Sequence, residues 1–560
     1  MGAAGSAWRA VGDPGRIKMI EQEVYVGTHT PVVQLAGDGT PRGILQDGLG
    51  LVQGKEYTGH VVLAGDATAA PVEVSLVWAD ERGDEPGARE TVAIDAITAA
   101  YATRPLRFTV GADTDKGRLE IVSRGNGLLR IGTLSLMPAD NVNGMRADTL
   151  ALLKELDAPV YRWPGGNFVS GYNWKDGIGE RDRRPPRKNP AWEGLEHNDF
   201  GLDEFLAFCR EIDTEPFITV NSGLGNVDEA VEELEYANGA ADTPMGKLRA
   251  ANAHPEPYSV KWWAIGNEMY GNWQLGKVPL DNYARKHNEF AEAMRAQDPN
   301  IKLIAVGATG KWSEGMLAQC AGHMDLLSEH FYRGEAKGLL SHVRQIPDAV
   351  RHKATMHRRY HKEIPAIEGT FIPIALDEWN YWYGPELYGQ IGPRYFLKDA
   401  LGIAAGLHEY TRHSDVFFMA NYAQTVNVIG AIKTNKTAAE FDTTGLVLKL
   451  YRRHYGTIPV AVGGDCAPLD VAAAWTQDRT ALTVGIVNPC LDAQKVPVRV
   501  DGASLTGSGR VWTITGTDPM AYNEPGVPPA VRIEEKEVDG ISDALDVGPI
   551  SVTLYALAVK

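Results

Sequence analysis

Two glutamates in this chain follow short apolar runs in the same manner. Glu268 stands just after the largely apolar run Val260–Ile265, in VKWWAIGNEMYGNWQLG, and Glu378 stands just after Ile372–Leu376, in IPIALDEWNYWYG. Runs of this length are typical of buried strands. In parallel α/β folds the side chains that do chemistry lie at the carboxyl ends of the strands. The two glutamates are therefore predicted to converge at one end of a parallel sheet, although Glu268 could instead open a loop or cap a helix.

Paired carboxyl groups beside aromatic rings are what glycoside hydrolysis requires. One carboxyl group donates a proton to the leaving oxygen, and the other attacks or stabilises the developing positive charge. Several aromatic residues crowd the two glutamates in sequence: Trp262, Trp263, Trp273, Trp379, Tyr381, Trp382 and Tyr383. Such rings stack on sugar faces or pack in a core, and core packing is the expectation for one or both of Trp262 and Trp263.

The middle of the chain, residues 138–455, alternates apolar runs with helical patterns. Amphipathic spacing in RADTLALLKEL and GLDEFLAFCREI predicts helices that cover a sheet. The predicted buried strands are APVYRW, EPFITV, KWWAIG, KLIAVG, MDLLSEH, IPIALD and DVFFMAN. Strand–helix alternation of this kind predicts a catalytic (β/α)8 barrel, for which an eighth strand is expected and is not identified.

The regions on either side of this barrel show short strands separated by Gly, Asp and Pro turns. In residues 1–137 the pattern starts at Val24, in runs such as HVVLAG, PVEVSLVWAD and RLEIVSRG. In residues 456–560 it returns in ALTVGIVNP, RVWTITG and SVTLYALAV. Each region is predicted to form a β-sandwich.

Composition restricts the classes of function. The chain has 560 residues and a net charge of −17, which argues against a sequence-independent nucleic-acid partner. No apolar run is long enough for a membrane helix, and the start of the sequence lacks the apolar core of a signal peptide. Four widely separated cysteines, without a C-x-x-C pair, are typical of a reducing compartment. A cytoplasmic protein without a membrane partner is the prediction.

Three motifs carry a resemblance to a known family. RWPGGNFVSGYNWKDGIG, WWAIGNEMYGNWQLG and LDEWNYWYG together resemble glycoside hydrolase family 51, the α-L-arabinofuranosidases, over residues 132–431. The resemblance implies a (β/α)8 barrel with a carboxy-terminal sandwich, preceded here by an inserted carbohydrate-binding-module-like sandwich. It also implies a retaining, exo-acting enzyme that removes arabinofuranosyl residues from plant oligosaccharides or polysaccharides.

The resemblance also implies roles for individual residues. Glu268 matches the general acid/base, and Glu378 matches the nucleophile. Arg162 matches the residue that holds the nucleophile ionised, and Asn267 matches one that bonds the sugar 2-hydroxyl. The remaining substrate-binding matches are Asn167, Tyr332, His330, Gln424 and Trp192.

The sequence departs from the family in one respect. Members usually begin with a strand carrying Gly-x-Phe-x-Glu, whose glutamate binds sugar hydroxyls, and this chain begins instead with sequence typical of the insertion. A first barrel strand that is missing would remove one sugar contact. Two alternatives stay open: another retaining glycosidase on the same barrel, such as an endo-glucanase or β-xylosidase, or a catalytically impaired carbohydrate-binding protein.

No metal or cofactor is predicted, because no ligand-spaced His or Asp lies near His330 in sequence. The family's frequent oligomers make a homo-oligomer possible. In the amino-terminal sandwich, the aromatic candidates for sugar binding are Tyr25, Tyr57, Trp78 and Tyr101. Alternation places Trp78 on a core face, so weak or absent polysaccharide binding is predicted for this module.

Overall fold

The computed structural model describes residues 7–79, 87–541 and 543–560. The chain divides into two compact units. The first unit runs to Leu150 and includes Trp174–Glu204 and Asn435–Ala438. The second unit holds Ala151–Asn173, Phe205–Thr434 and Ala439–Lys560. The domain boundaries expected at residues 137 and 455 stay a prediction.

The first unit contains a β-sandwich, as predicted. Its described strands form two five-stranded antiparallel sheets, in the orders β1-β4-β9-β6-β7 and β2-β3-β10-β5-β8. The strands are β1 (Trp8–Val11), β2 (Ile17–Ile20), β3 (Thr30–Ala36), β4 (Arg42–Leu51), β5 (Glu56–Gly65), β6 (Val72–Val77), β7 (Arg89–Ile94), β8 (Ala102–Thr109), β9 (Thr114–Ser123) and β10 (Asn126–Pro138). The strand pattern was expected to begin at Val24, but β1 and β2 precede that residue.

Apolar side chains from both sheets fill one core, because alternate residues of each strand face inward. Trp78 lies in this core beside Val74 and Leu76, as the alternation predicts. Tyr25 and Tyr57 are also buried. Tyr101 is half-buried and donates to the Glu23 carbonyl, and the weak or absent sugar binding of this module stays a prediction.

The second unit contains the parallel sheet. In the described residues it has seven strands, in the order β11-β14-β15-β16-β17-β18-β19, and every neighbouring pair is parallel. The strands are β11 (Val160–Trp163), β14 (Glu215–Val220), β15 (Trp262–Ile265), β16 (Lys302–Ala305), β17 (Leu326–Arg333), β18 (Ile374–Tyr381) and β19 (Phe417–Tyr422). All seven predicted strands are confirmed.

The two edge strands of this sheet approach one another. Cα atoms of β11 and β19 come within 8 Å, so the seven strands curl into a nearly closed barrel. The eighth strand expected of such a barrel is not found in the described part of the chain. The consequence for sugar binding stays a prediction.

Helices alternate with the barrel strands along the chain. The described α-helices are α1 (Ala147–Leu156), α2 (Leu202–Glu211), α3 (Val227–Asn238), α4 (Pro244–Ala251), α5 (Leu280–Gln297), α6 (Lys311–Cys320), α7 (Leu339–Glu363), α8 (Leu397–Arg412) and α9 (Thr443–His454). A capping box of Asn226 and Glu229 begins α3, since it satisfies two free amides of the first turn. None of the helices in the described residues is long and apolar enough to cross a membrane.

The carboxy-terminal region forms the predicted second sandwich. Its six-stranded antiparallel sheet, in the order β22-β23-β24-β29-β26-β27, shares a core with the pair β25-β28. The strands are β22 (Ile458–Val460), β23 (Asp470–Trp475), β24 (Ala481–Asn488), β25 (Gln494–Pro497), β26 (Leu505–Thr515), β27 (Arg532–Val538), β28 (Ala544–Val547) and β29 (Ser551–Val559). Two short hairpins complete the described strands: β12 (Arg187–Lys188) with β13 (Leu195–Glu196), and β20 (Ile432–Thr434) with β21 (Ala439–Phe441).

Candidate active site

Glu378 lies on β18 with both carboxylate oxygens hydrogen-bonded. Arg162 Nη1 donates to Oε1 at 2.9 Å, and the Tyr332 hydroxyl donates to Oε2 at 2.8 Å. Parallel pairing of β17 with β18 sets His330 directly opposite Glu378. Strand register thus gathers a guanidinium, a phenol and an imidazole around one carboxylate.

Glu268 lies in the turn that follows β15. This turn begins at Gly266, whose φ is +85° and where a Cβ atom would lie 1.9 Å from Ser222 Oγ, so a larger residue is excluded. Glu268 itself has a φ of +43°. Non-glycine residues adopt that region rarely, and it is a recurrent feature of functional sites.

Three donors from β17 and the turn hold the Glu268 carboxylate. The Tyr270 hydroxyl donates to Oε1 at 3.1 Å, and Trp273 Nε1 donates to Oε2 at 2.5 Å. His330 Nδ1 lies 2.9 Å from Oε1. Both oxygens are thus engaged, although the side chain remains 14% exposed.

The two glutamates lie close together, as predicted. Glu268, Glu378 and His330 each offer one side-chain oxygen or nitrogen, and these atoms all lie within 4.8 Å of one another. Carboxyl groups about 5–5.5 Å apart are typical of retaining glycosidases, whereas inverting enzymes need about 6.5–9.5 Å to admit a water molecule. Oxygen atoms within 4.8 Å of each other fit the shorter separation of a retaining pair.

Arg162 connects the two halves of this site. From β11 it donates to Glu378, and its Nη2 donates to Asn267 Oδ1. Its Nε lies 3.2 Å from Thr219 Oγ1 and 3.3 Å from Asp377 Oδ2. A planar guanidinium has donors for several partners at once, so Arg162 fixes the two glutamate-bearing segments relative to each other.

Asp377 belongs to the site, although the sequence did not indicate it. Its Oδ1 lies 3.0 Å from His330 Nε2 and accepts from Ser328 Oγ at 2.5 Å. In a regular strand Asp377 and Glu378 would point to opposite faces. The register shifts between Ser328 and His330, and again beyond Leu376, and such irregularities re-aim side chains.

Charges in the site displace two pKa values in opposite directions. Burial alone would lower the pKa of His330, but the carboxylates of Glu378 and Asp377 and its hydrogen bonds raise it to about 10. Burial alone would raise the pKa of Glu268, but the bonds from His330, Trp273 and Tyr270 hold it well below its ordinary value. The resting site therefore pairs an imidazolium with an ionised Glu268.

The close trio of Glu268, His330 and Glu378 has the spacing of metal ligands, which sequence distances could not reveal. A metal ligand must offer a lone pair, and a neutral imidazole is required. The raised pKa of His330 favours a protonated ring, whose Nδ1 can donate to Glu268 Oε1 at 2.9 Å. The charges in the site therefore support hydrogen bonding among the trio.

The other predicted site residues lie in different parts of the chain and differ in burial. Asn267 is buried, and its Nδ2 donates to Gln274 Oε1 at 3.4 Å. Asn167 lies in the 3-10 turn Gly166–Gly171 beyond β11, and Gln424 follows β19 with an exposed side chain. Trp192 lies in the first unit, where its backbone amide donates to Asn189 Oδ1. Sugar contacts of these residues stay predictions.

The seven aromatic residues near the glutamates differ in burial, with Trp262 and Tyr383 half-buried. Trp263, Trp379 and Tyr381 are fully buried, so for these rings core packing is the alternative that the structure supports. These three rings lie on the outer face of the barrel sheet, because side chains alternate between the two faces of a strand. Trp273 and Trp382 are exposed at the strand ends, where rings can stack on sugars.

Comparison with known proteins agrees with this geometry. Residues 152–352 match the model of the alpha-L-arabinofuranosidase 1 domain, and residues 377–553 match that of the alpha-L-arabinofuranosidase C-terminal domain. Alpha-L-arabinofuranosidase C of Emericella nidulans is 34% identical over 441 residues, which is 71% of this chain and 86% of that protein. The chain belongs to glycoside hydrolase family 51.

Solved structures extend the comparison to the fold. The family 51 α-L-arabinofuranosidase of Thermotoga petrophila is 35% identical, with a TM-score of 0.69 over 75% of this chain and 92% of that one. The arabinose-bound MgGH51 α-L-arabinofuranosidase is 18% identical and has a TM-score of 0.80 over 99% of this chain and 91% of that one. The second likeness concerns the fold alone.

Proposed function

We propose that this family 51 α-L-arabinofuranosidase cleaves terminal arabinofuranosyl residues by double displacement, with Glu378 as nucleophile and Glu268 as acid/base. The observation that carries this assignment is the separation of the two carboxyl groups, whose nearest functional atoms lie within 4.8 Å. That spacing leaves no room for a water molecule between nucleophile and sugar. Glu378 therefore attacks the anomeric carbon itself.

The first step forms a covalent arabinosyl–Glu378 ester. Arg162 and Tyr332 keep the Glu378 oxygens oriented through bonds of 2.9 and 2.8 Å. As the ester forms, Glu268 gives a proton to the glycosidic oxygen, so the leaving alcohol departs neutral. Asn267, held by Arg162, is the proposed partner of the sugar 2-hydroxyl.

The second step releases the sugar. Glu268, ionised after the first step, takes a proton from water, and the oxygen of that water attacks the anomeric carbon. Glu378 leaves as a carboxylate, and the configuration at the anomeric carbon is retained. The proposed sugar-binding residues are Asn167, Tyr332, Gln424 and Trp192, with Trp273 and Trp382 as stacking surfaces.

The preferred substrates are arabinofuranosyl side chains of plant oligosaccharides or polysaccharides. Named relatives at about one-third identity are arabinofuranosidases, and they favour this assignment over an endo-glucanase, a β-xylosidase or an inactive binding protein. We also propose a cytoplasmic location, because the four cysteines are unpaired, as is usual in a reducing compartment. Assembly into a homo-oligomer stays a prediction.

The test compares 4-nitrophenyl glycosides. We expect rapid release of nitrophenol from the α-L-arabinofuranoside and at least about 100-fold slower release from the β-xyloside and β-glucoside, because pocket contacts discriminate by a few kcal/mol. Proton NMR of the first product should show the α-anomer before mutarotation. Appearance of the β-anomer first would contradict double displacement, and preference for another glycoside would contradict the substrate assignment.

A further inference from the structure

His330 lies between three carboxylates, and its two ring nitrogens have different partners. Nδ1 is 2.9 Å from Glu268 Oε1 and 3.5 Å from Glu378 Oε2. Nε2 is 3.0 Å from Asp377 Oδ1. The side chain is only 5% exposed. A buried ring held from both sides can change its protonation state without changing its position.

Asp377 decides which nitrogen keeps its proton when the ring becomes neutral. Its carboxylate is 1% exposed, is ion-paired with Arg162 Nε at 3.3 Å and accepts from Ser328 Oγ. An ionised Asp377 needs a donor from His330, so the Nε2–H is retained. The proton that can leave is therefore the one on Nδ1, which points at Glu268.

The resting site and the first chemical step require opposite states of Glu268. In the resting site its two oxygens accept from Tyr270, Trp273 and His330, which is the environment of a carboxylate. The first step of the proposed mechanism needs a proton on that carboxyl group. A proton source in direct contact with Glu268 would resolve this conflict.

We infer that His330, positioned by Asp377, is the proton reservoir of Glu268: its Nδ1 proton passes to the Glu268 carboxylate before bond cleavage and returns after hydrolysis. This inference rests on the proposed roles of Glu268 and Glu378. It assigns His330 to proton exchange with Glu268, in place of the substrate contact that the family resemblance implied. Asp377 becomes a positioning residue.

The protons balance over one turnover. The His330 Nδ1 proton moves to Glu268 and from there to the glycosidic oxygen, which leaves as an alcohol, while the Glu378 carboxylate bonds to the anomeric carbon. The ring is then neutral. In the second step Glu268 takes a proton from a water molecule. The oxygen of that water bonds to the anomeric carbon, and Glu378 leaves as a carboxylate. Glu268 finally returns the proton to Nδ1, which restores the resting state.

A neutral His330 also suits the second step. With its Nδ1 proton gone, the ring no longer donates to Glu268, and a carboxylate that loses a charged donor becomes a stronger base. The ionisable groups around the ring all belong to the site: Glu268, Glu378, Asp377, Arg162, Tyr270 and Tyr332. The carboxylates among them hold the pKa of His330 high, so that the reservoir is filled at neutral pH.

The test measures kcat/KM against pH for an arabinobioside, whose leaving group needs protonation, and for 4-nitrophenyl α-L-arabinofuranoside. The alkaline limb is the fall of kcat/KM at high pH. In Asp377→Asn we expect this limb, measured with the arabinobioside, to move at least one pH unit lower, because the His330 imidazolium loses the carboxylate that stabilises it. His330→Gln keeps an amide near Glu268 but cannot release a proton. We expect the same limb to move lower, and activity on the arabinobioside to fall at least tenfold more than on the nitrophenyl substrate.

Glu329→Gln is the matched control, because it neutralises a buried carboxylate on the other face of the same strand. Assayed below its melting temperature, it should leave the alkaline limb in place. If Asp377→Asn does not fold, His330→Gln decides the question alone.

An unmoved alkaline limb, or equal losses on both substrates, would overturn the inference. Failure of the proposed function is distinguishable, since the wild-type enzyme would then not cleave the arabinofuranosides or Glu268→Ala would affect both substrates equally.

Discussion

Strand β17 carries two buried charged clusters, one on each face. The inner cluster, Glu268, His330, Asp377 and Glu378, lies inside the barrel. The outer cluster, Glu329, Lys353 and His357, lies between the strand and helix α7. His330 and Glu329 are neighbours in sequence and point to opposite faces because side chains alternate along a strand. The comparison shows what separates a structural cluster from a catalytic one.

The outer cluster is closed. Glu329 is fully buried, and its oxygens accept from Lys353 at 2.7 Å and from Ser313 at 2.7 Å. His357 and Thr309 supply the remaining donors. A ligand cannot reach this cluster, because the side chains of Glu329, Lys353 and His357 are all buried. Because every charge has a fixed partner, this cluster holds α7 against the sheet.

The inner cluster is open and contains a proton that can move. Glu268 and Glu378 are 14% and 12% exposed, so a substrate can reach them. The charged partner of Glu268 is His330, whereas Glu329 is bonded by both Lys353 and His357. A displaced pKa occurs in both clusters and does not identify the active site by itself. Both clusters contain a histidine bonded to a glutamate, so access to the carboxylates is what distinguishes the inner cluster.

The largest expected effect comes from removing the nucleophile of the inner cluster. Glu378→Ala should lower kcat on every arabinofuranoside by about 10⁴-fold or more, because no ester can form. Steady-state assays with the nitrophenyl substrate measure this loss, and circular dichroism checks the fold. Retention of more than a hundredth of the activity would mean that Glu378 is not the nucleophile.

The acid/base should show a loss that depends on the leaving group. Glu268→Ala is expected to lower kcat/KM for an arabinobioside by about 10²–10⁴-fold, the usual contribution of general acid catalysis. With a nitrophenyl leaving group the first step needs little protonation, so the ester should accumulate and give a burst of nitrophenol. Rapid-mixing measurements would show the burst, and its absence together with equal losses on both substrates would contradict the role.

A smaller effect is expected from the hydroxyl group that orients the nucleophile. Tyr332→Phe removes the 2.8 Å bond to Glu378 Oε2 and keeps the ring that packs edge-on against Trp382. A hydrogen bond to a charged group contributes about 1.5–3 kcal/mol, which corresponds to a loss of about 10- to 100-fold in kcat/KM. Unchanged kinetics in the folded variant would remove Tyr332 from the site.

Local patterns in the sequence were sufficient for the barrel strands and for the convergence of Glu268 and Glu378. All seven strands were predicted because buried runs differ from amphipathic helices in period, and Glu268 and Glu378 stood at strand ends. Asp377 and Ser328 were missed because their placement depends on register shifts between strands, which one sequence does not reveal. For Trp379 the sequence left sugar stacking and core packing open, and the structure buries the ring.

The smallest effect on catalysis, and a large one on stability, is expected from the outer cluster. Glu329→Gln should lower the free energy of unfolding by about 3–5 kcal/mol, since Lys353 would remain buried without its charged partner. In this variant kcat at 25 °C should change by less than about threefold, because the inner cluster keeps all its contacts. Chemical denaturation and the nitrophenyl assay measure the two quantities on one preparation.

The pH dependence of the free energy of unfolding gives a second test of the Glu329 cluster. Burial would raise the pKa of Glu329, but Lys353 and His357 hold it well below its ordinary value of 4.5. A carboxyl group with a depressed folded-state pKa adds stability above its unfolded pKa, and that stability is lost as the pH falls through the folded one. Wild-type unfolding free energy should therefore decline below pH 4.5 more steeply than that of Glu329→Gln. Equal slopes would show that the pKa of Glu329 is not depressed in the folded protein. A variant with full stability and impaired kcat would show that the two faces of β17 are not separate in function.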